Sequence, residues 1–229
     1  MVLKEKSQKF YSIARKLKTI VDNSHIAAAL LQIQAVKIQP KAPFTWSSGW
    51  KSPIYCDNRL TLSYPDIRTM IRDEFVSLIR REFPEVTGIA GVATGAIANG
   101  VLVAEAMGLP FIYIRSAAKG HGMGNLIEGK VDPKGKYVII EDLISTGGSS
   151  VKAVKAVQET GATVLVTLSI FSYGFPQATK AYAETGTKYI PLTNLQELLQ
   201  KAEENNYLQP QEKETIYAWQ QDPANWKSD

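Results

Sequence analysis

From residue 86 onward, five short apolar runs alternate with helical segments, at 86–93, 110–114, 137–140, 163–171 and 188–191. Most are apolar at successive positions rather than at every second one, as parallel strands covered on both faces require. The segments between them close on Gly108, Gly161 and Gly186, where a helix can end in a left-handed turn. This pattern predicts an α/β fold: an open, mostly parallel twisted sheet with helices on both faces. In such sheets ligands bind beyond the carboxyl ends of the strands, so the residues after each run are the place to look for chemistry.

The third run leads into the most informative stretch, Val138-Ile-Ile-Glu141-Asp142-Leu143-Ile144-Ser145-Thr146-Gly147-Gly148-Ser149-Ser150. Two adjacent acids at a strand end can accept hydrogen bonds from vicinal hydroxyls, and the glycines let backbone N–H groups come close to a ligand. A helix from Ser149 to about Thr160 would point its positive end into that turn, a favourable place for phosphate. A vicinal diol with a phosphate describes a ribose 5-phosphate.

The first sixty residues read differently. A helix opened by Ser24 is expected over 24–36, followed by a turn-broken, β-rich lobe over 38–62 punctuated by Pro40, Pro43, Gly49 and Pro53. Ser63 and Asp66 have capping-box spacing before a helical stripe of Ile67, Ile71, Phe75, Leu78 and Ile79. Two domain units are expected: a basic extension, 1–23, and one domain, 24–229, in which 24–62 forms a small N-terminal hood lobe and 63–229 the α/β core with its C-terminal helices.

The thirteen-residue stretch resembles the phosphoribosyl pyrophosphate signature of type I phosphoribosyltransferases in its Glu-Asp form. Residues 44–59, Phe-Thr-Trp-Ser-Ser-Gly-Trp-Lys-Ser-Pro-Ile-Tyr-Cys-Asp-Asn-Arg, resemble the corresponding segment of the orotate phosphoribosyltransferases, with its Ser-Gly-x-x-Ser-Pro core. The resemblance covers roughly 24–220. It implies transfer of the 5-phosphoribosyl group from phosphoribosyl pyrophosphate to orotate, giving orotidine 5′-monophosphate and pyrophosphate in pyrimidine biosynthesis, with Mg2+. Residues 115–125, with Arg115, Lys119 and His121 among glycines, match the family's lid, which closes over the partner subunit of a homodimer. Thr94 and Gly95 fall in the counterpart of the pyrophosphate loop. By the same resemblance, Arg115, Lys119, His121 and Asp142 are the catalytic candidates. Thr94, Gly95, Arg115, Lys119, His121 and the whole of 141–149 would bind phosphoribosyl pyrophosphate, and Ser145, Tyr55 and Ser52 would bind orotate. No metal-ligating side chain is expected. The chain departs from some relatives at Ser116 and Ser47, where those carry basic residues, and after the fourth run, where they hold the orotate carboxylate with an arginine.

Other motifs fail on inspection. Gly124 to Lys130 fits the first seven positions of a phosphate-binding P-loop, but Val131 replaces the required hydroxyl and no strand precedes it. Gly120, Gly122 and Gly124 miss the dinucleotide spacing, and His25 reads as a helix-surface residue. The formal charge of +4 is concentrated in residues 1–20, where six basic groups face Glu5 alone, so the remainder is near neutral and no nucleic-acid partner is expected. Phe10, Ile13, Leu17 and Ile20 give that arm helical amphipathicity, suited to packing on its own domain or a sister subunit. The longest apolar runs fall far short of the ~20 residues a membrane span needs, so no membrane partner is expected. A single cysteine, Cys56, excludes an intrachain disulfide and points to the cytoplasm. Two alternatives remain open: a purine-type phosphoribosyltransferase, and a non-catalytic regulator that senses phosphoribosyl pyrophosphate.

Overall fold

Strand β8 (Lys136–Ile144) organises the molecule, because Val138 and Ile140 face one side of the sheet, Ile139 faces the other, and all three are fully buried. The computed structural model describes residues 24–46, 48–117 and 126–226. Six strands form the central sheet in the order β10 (Tyr189–Asn194), β9 (Thr163–Ser172), β8, β5 (Gly88–Val92), β6 (Phe111–Ile114), β7 (Ile127–Glu128). All neighbours are parallel except β7, which pairs antiparallel with β6 through Tyr113 opposite Glu128 and Ile114 opposite Ile127. The open, mostly parallel sheet is therefore as expected. The antiparallel edge strand was not, since two residues carry no readable period.

Helices cover both faces. Helices α4 (Gly148–Gln158) and α5 (Pro176–Ala183) bury Val151, Val154, Val157, Ala178 and Tyr182 against Ile139, Val164 and Ile112. On the other face lie α2 (Pro65–Glu82), α3 (Ile97–Met107), α6 (Leu195–Glu204) and α7 (Pro210–Gln221), joined by α1 (Ser24–Gln32). Ile26 and Leu30 of α1, Ile71 and Phe75 of α2 and Leu198 of α6 share that core with Val138 and Ile140. Burial of each such aliphatic side chain contributes about 1.5–3 kcal/mol.

Three local expectations need correction. The first helix stops at Gln32, because Gln34 takes φ 55° and Val36–Ile38 (β1) instead pairs antiparallel with Ile54–Cys56 (β4). The Ser63–Asp66 capping box does not form. Pro65 occupies the first helical position and keeps Tyr64 extended at φ −115° and ψ 96°, so Tyr64 is the N-cap and no side chain caps the end. The acids also do not close the strand: β8 stays paired with β9 through Ile144 opposite Ser172.

The hood segment carries β1, Phe44–Thr45 (β2) paired with Lys51–Ser52 (β3), β4, and a 3-10 turn at Asn58–Ser63. An aromatic cluster ties it to the C-terminal helices. Trp219 of α7 is fully buried, with ring centroids 5.7 Å from Trp46, 5.6 Å from Tyr173 and 5.3 Å from Phe175. Its indole N–H donates to the Lys51 carbonyl at 3.0 Å.

Candidate functional site

The pairing of β8 is lopsided where the acids stand. On one side β5 pairs only as far as Gly91 opposite Ile140, while β9 continues for four more residues. Beyond that point β5 turns away through Ala93, Thr94 and Gly95 into α3, with a cis peptide bond between Ala93 and Thr94. A notch opens between the two chain paths. Both main-chain groups of Asp142 are met there by side chains: its N–H donates to Glu141 Oε1 at 3.0 Å, and its carbonyl accepts from Asn58 Nδ2 at 2.6 Å.

A cavity of about 320 Å3 fills the notch. Its lining includes Thr94 and Gly95 from the β5 turn, Glu141, Asp142 and Leu143 from β8, Ser149 from α4, and Cys56, Asp57 and Arg59 from the hood. A larger cavity of about 600 Å3 lies beside β9, β10 and α5 among Tyr173, Tyr182, Tyr189 and Tyr217. No acidic side chain lines it, so the smaller cavity is the one equipped for the predicted chemistry.

The turn after β8 brings its backbone up to the same space. Gly147 is the N-cap of α4 at φ 83°, a conformation that favours glycine, and no side chain caps the helix. Its N-terminal N–H groups are thus left for an external acceptor. Gly95 is required by packing, since a Cβ there would collide with the Asp142 carboxylate.

The two acids are not equivalent. Glu141 is 4% exposed, and Oε2 has no hydrogen-bond partner among the described residues. Burial, and then the neighbouring Asp142 charge, push its carboxyl well above the usual range, so the isolated site holds it towards the neutral form. Burial raises the Cys56 thiol likewise, helped by Asp142 and Asp57. Asp57 moves the other way, because the hydrogen-bonded Arg59 guanidinium lowers its carboxyl.

Of the residues singled out in sequence, Thr94, Gly95, Glu141, Asp142, Leu143 and Ser149 converge on this cavity. Ser145 and Thr146 are half-buried in the turn, Gly147 and Ile144 are buried, and Gly148 is exposed at the start of α4. Tyr55 is 39% exposed on β4, its ring 5.5 Å from Phe44. Ser52 is buried, and its hydroxyl donates to the Ile54 carbonyl at 2.6 Å. Neither lines the cavity. Arg115 directs Nη1 towards Glu128 at 3.5 Å, across the β6–β7 pair. Lys119, His121, Ser47 and the basic arm lie outside the described residues. His25 sits on the surface of α1 with Nε2 3.0 Å from Glu74 Oε1.

Sequence reasoning missed Asp57, Asn58 and Arg59. Their advance signals were a polar Asp-Asn-Arg cluster at the end of an apolar strand and their place at the end of the 44–59 segment.

No family model matches the chain. An orotate phosphoribosyltransferase of Porphyromonas gingivalis is 47% identical over 201 residues, which span 88% of this chain and 96% of that protein. One of Bacteroides thetaiotaomicron is 50% identical over 200 residues, spanning 87% and 94% respectively. The crystal structure of orotate phosphoribosyltransferase from Aeropyrum pernix superposes with a TM-score of 0.69 at 26% identity, over 80% of this chain and 99% of that one. Leishmania donovani UMP synthase shares the fold, with a TM-score of 0.74 at 24% identity over 92% of this chain, which spans 45% of that protein.

Proposed function

The chain belongs to the orotate phosphoribosyltransferase family, and on that premise we propose that it transfers the 5-phosphoribosyl group of phosphoribosyl pyrophosphate to orotate. The products are orotidine 5′-monophosphate and pyrophosphate, in pyrimidine biosynthesis. The observation that carries this reading is that two adjacent acids and the first turn of a helix without a side-chain cap line one cavity, groups suited to a ribose and its 5′-phosphate.

Breaking the bond from C1 to the diphosphate builds positive charge on the ribose and negative charge on the leaving group. Catalysis is therefore a matter of positioning and fixed electrostatics. Glu141 and Asp142 accept hydrogen bonds from the ribose hydroxyls, with the unpartnered Glu141 Oε2 suited to one of them. The Ser145–Ser149 turn and the start of α4 hold the 5′-phosphate. Backbone N–H groups at Thr94 and Gly95 meet the diphosphate, and Arg115, Lys119 and His121 stabilise the charge that develops on it. Ser145, Tyr55 and Ser52 form the orotate side.

Magnesium fits this donor set. The ion would be bound mainly by substrate oxygens and water, and Glu141 and Asp142 are cavity-lining carboxyls that could add protein oxygens to it. When bound, it supplies charge neutralisation at the diphosphate oxygens. We further propose a homodimer that shares lids, and a cytoplasmic enzyme, in keeping with a lone, buried cysteine. No helix among the described residues is long and apolar enough to cross a membrane.

The test is turnover of phosphoribosyl pyrophosphate and magnesium with orotate, uracil, adenine, guanine and hypoxanthine in parallel. Orotate is the expected sole good substrate. Efficient use of hypoxanthine or guanine would move the chain to the purine class, and no turnover with tight phosphoribosyl pyrophosphate binding would favour a regulator.

A further inference from the structure

We infer that Arg59 is the receptor for the orotate carboxylate and so determines specificity for that base, an inference that rests on the function proposed above. Among the described residues lining the 320 Å3 cavity, Arg59 is the one cation. Its guanidinium is clamped from the side: Nε donates to Asp57 Oδ1 at 2.6 Å and Nη2 to Oδ2 at 2.8 Å. Asp57 is itself fixed as the N-cap of the Asn58–Ser63 turn, where it accepts the Arg59 backbone N–H at 3.2 Å.

That clamp uses two of the five guanidinium hydrogens. Three remain with no partner among the described residues, and two of them, one on each Nη, form the flat, two-pronged edge that matches a carboxylate.

The substrates bring three anionic groups to the site. The 5′-phosphate has the N-terminus of α4, and the diphosphate has the Thr94–Gly95 turn with the lid cations. Among the described residues lining the cavity, only Arg59 offers the orotate carboxylate a cation. The segment after β9 runs Tyr173-Gly174-Phe175 and carries no cation. Arg59 enters from the hood, four residues beyond Tyr55, and Asn58 beside it is bonded to the strand that carries the ribose acids. Arg59 therefore reaches the cavity from the hood, whereas Ser149 of the phosphate turn reaches it from α4.

The test compares wild type, Arg59→Gln and Arg59→Lys in steady-state kinetics with both substrates varied, and measures thermal stabilisation by phosphoribosyl pyrophosphate alone. The glutamine variant should lose roughly 10–100-fold in kcat/KM for orotate, the range expected for one charge-assisted bidentate contact, with the KM for phosphoribosyl pyrophosphate unchanged. Lysine, which keeps the charge but not the fork, should recover only part of the loss. An unaltered thermal shift shows that the variant is folded and that its ribose and phosphate sites are intact. If Arg59→Gln matches wild type with orotate, or if the loss falls on phosphoribosyl pyrophosphate instead, the inference is overturned. A wild-type protein that makes no orotidine 5′-monophosphate would instead refute the proposed function.

Discussion

Replacing Gly95 by alanine puts a methyl group into the Asp142 carboxylate, and the neighbours leave little freedom to absorb it. Asp142 has its carbonyl held by Asn58 and its N–H by Glu141, so the strand cannot simply slide away. The contact is with the root of the carboxyl group as well as its oxygens, since the ideal Cβ would lie 2.5 Å from Cγ. Overpacking of this kind costs about 1–3 kcal/mol. For a domain of this size each kcal/mol lowers the melting temperature by roughly 2–4 °C, so Gly95→Ala should melt roughly 2–12 °C below wild type. The clash is pairwise, which makes the second half of the experiment decisive. In Gly95→Ala/Asp142→Ala the carboxyl is gone and the methyl has room, so the two substitutions should couple by about 1–3 kcal/mol in a double-mutant cycle. Urea denaturation of all four proteins without ligand measures that coupling. The single variant should also show a reduced thermal shift with phosphoribosyl pyrophosphate, because the carboxylate has been moved off the ribose position proposed for it. Purely additive effects, or a Gly95→Ala protein as stable as wild type, would refute the packing argument.

The raised Glu141 carboxyl gives a pH prediction. The unfolded chain gives up this proton near the ordinary value of 4.5 while the folded one retains it to higher pH, so stability conferred by the neutral form declines as pH rises above that value. Glu141→Gln should therefore gain stability on wild type between pH 4.5 and 7 in ligand-free denaturation, while binding phosphoribosyl pyrophosphate more weakly; a pH-independent difference would contradict this. Trp219→Phe keeps a ring in the aromatic cluster but removes the donor to Lys51, and should cost about 1–3 kcal/mol by chemical denaturation. A neutral effect would show that the indole N–H does not hold the hood. Lys119→Ala and Asp142→Asn should each be nearly inactive alone, yet mixed dimers should regain up to one working site per dimer. Tagged mixed dimers that form but remain inactive would mean that each subunit supplies its own lid.

Much of the sheet was legible because Val138, Ile139 and Ile140 must face two cores at once, and only a covered parallel strand lets them. The site acids and the glycine turn were legible for a related reason: their chemistry is contiguous in the chain. What escaped depends on distant segments meeting. The polarity of Glu141 and Asp142 reads as a strand end, yet pairing to Ile144 is supplied by β9, about thirty residues away. Asp57 and Arg59 announce a local ion pair, but their place on the cavity follows from the hood folding across β8, with Asn58 and Asp142 separated by 84 positions. The Ser63 capping signal lost to Pro65, whose ring fixes the start of α2 more strongly than a hydroxyl can.

The notch beside Asp142 gives the sheet an edge in its interior. Edge strands in general expose unpaired amides and carbonyls, and proteins blunt them because such a row invites a foreign strand. Here the stretch without a β5 partner is short, and at Asp142 two side chains close it, one of them, Asn58, carried by the hood. The sheet can thus keep a cavity of about 320 Å3 open beside β8 without offering a template for association. Asn58 has a protective role besides its positional one: with it removed, the Asp142 carbonyl would lose the side chain that closes it to an approaching strand.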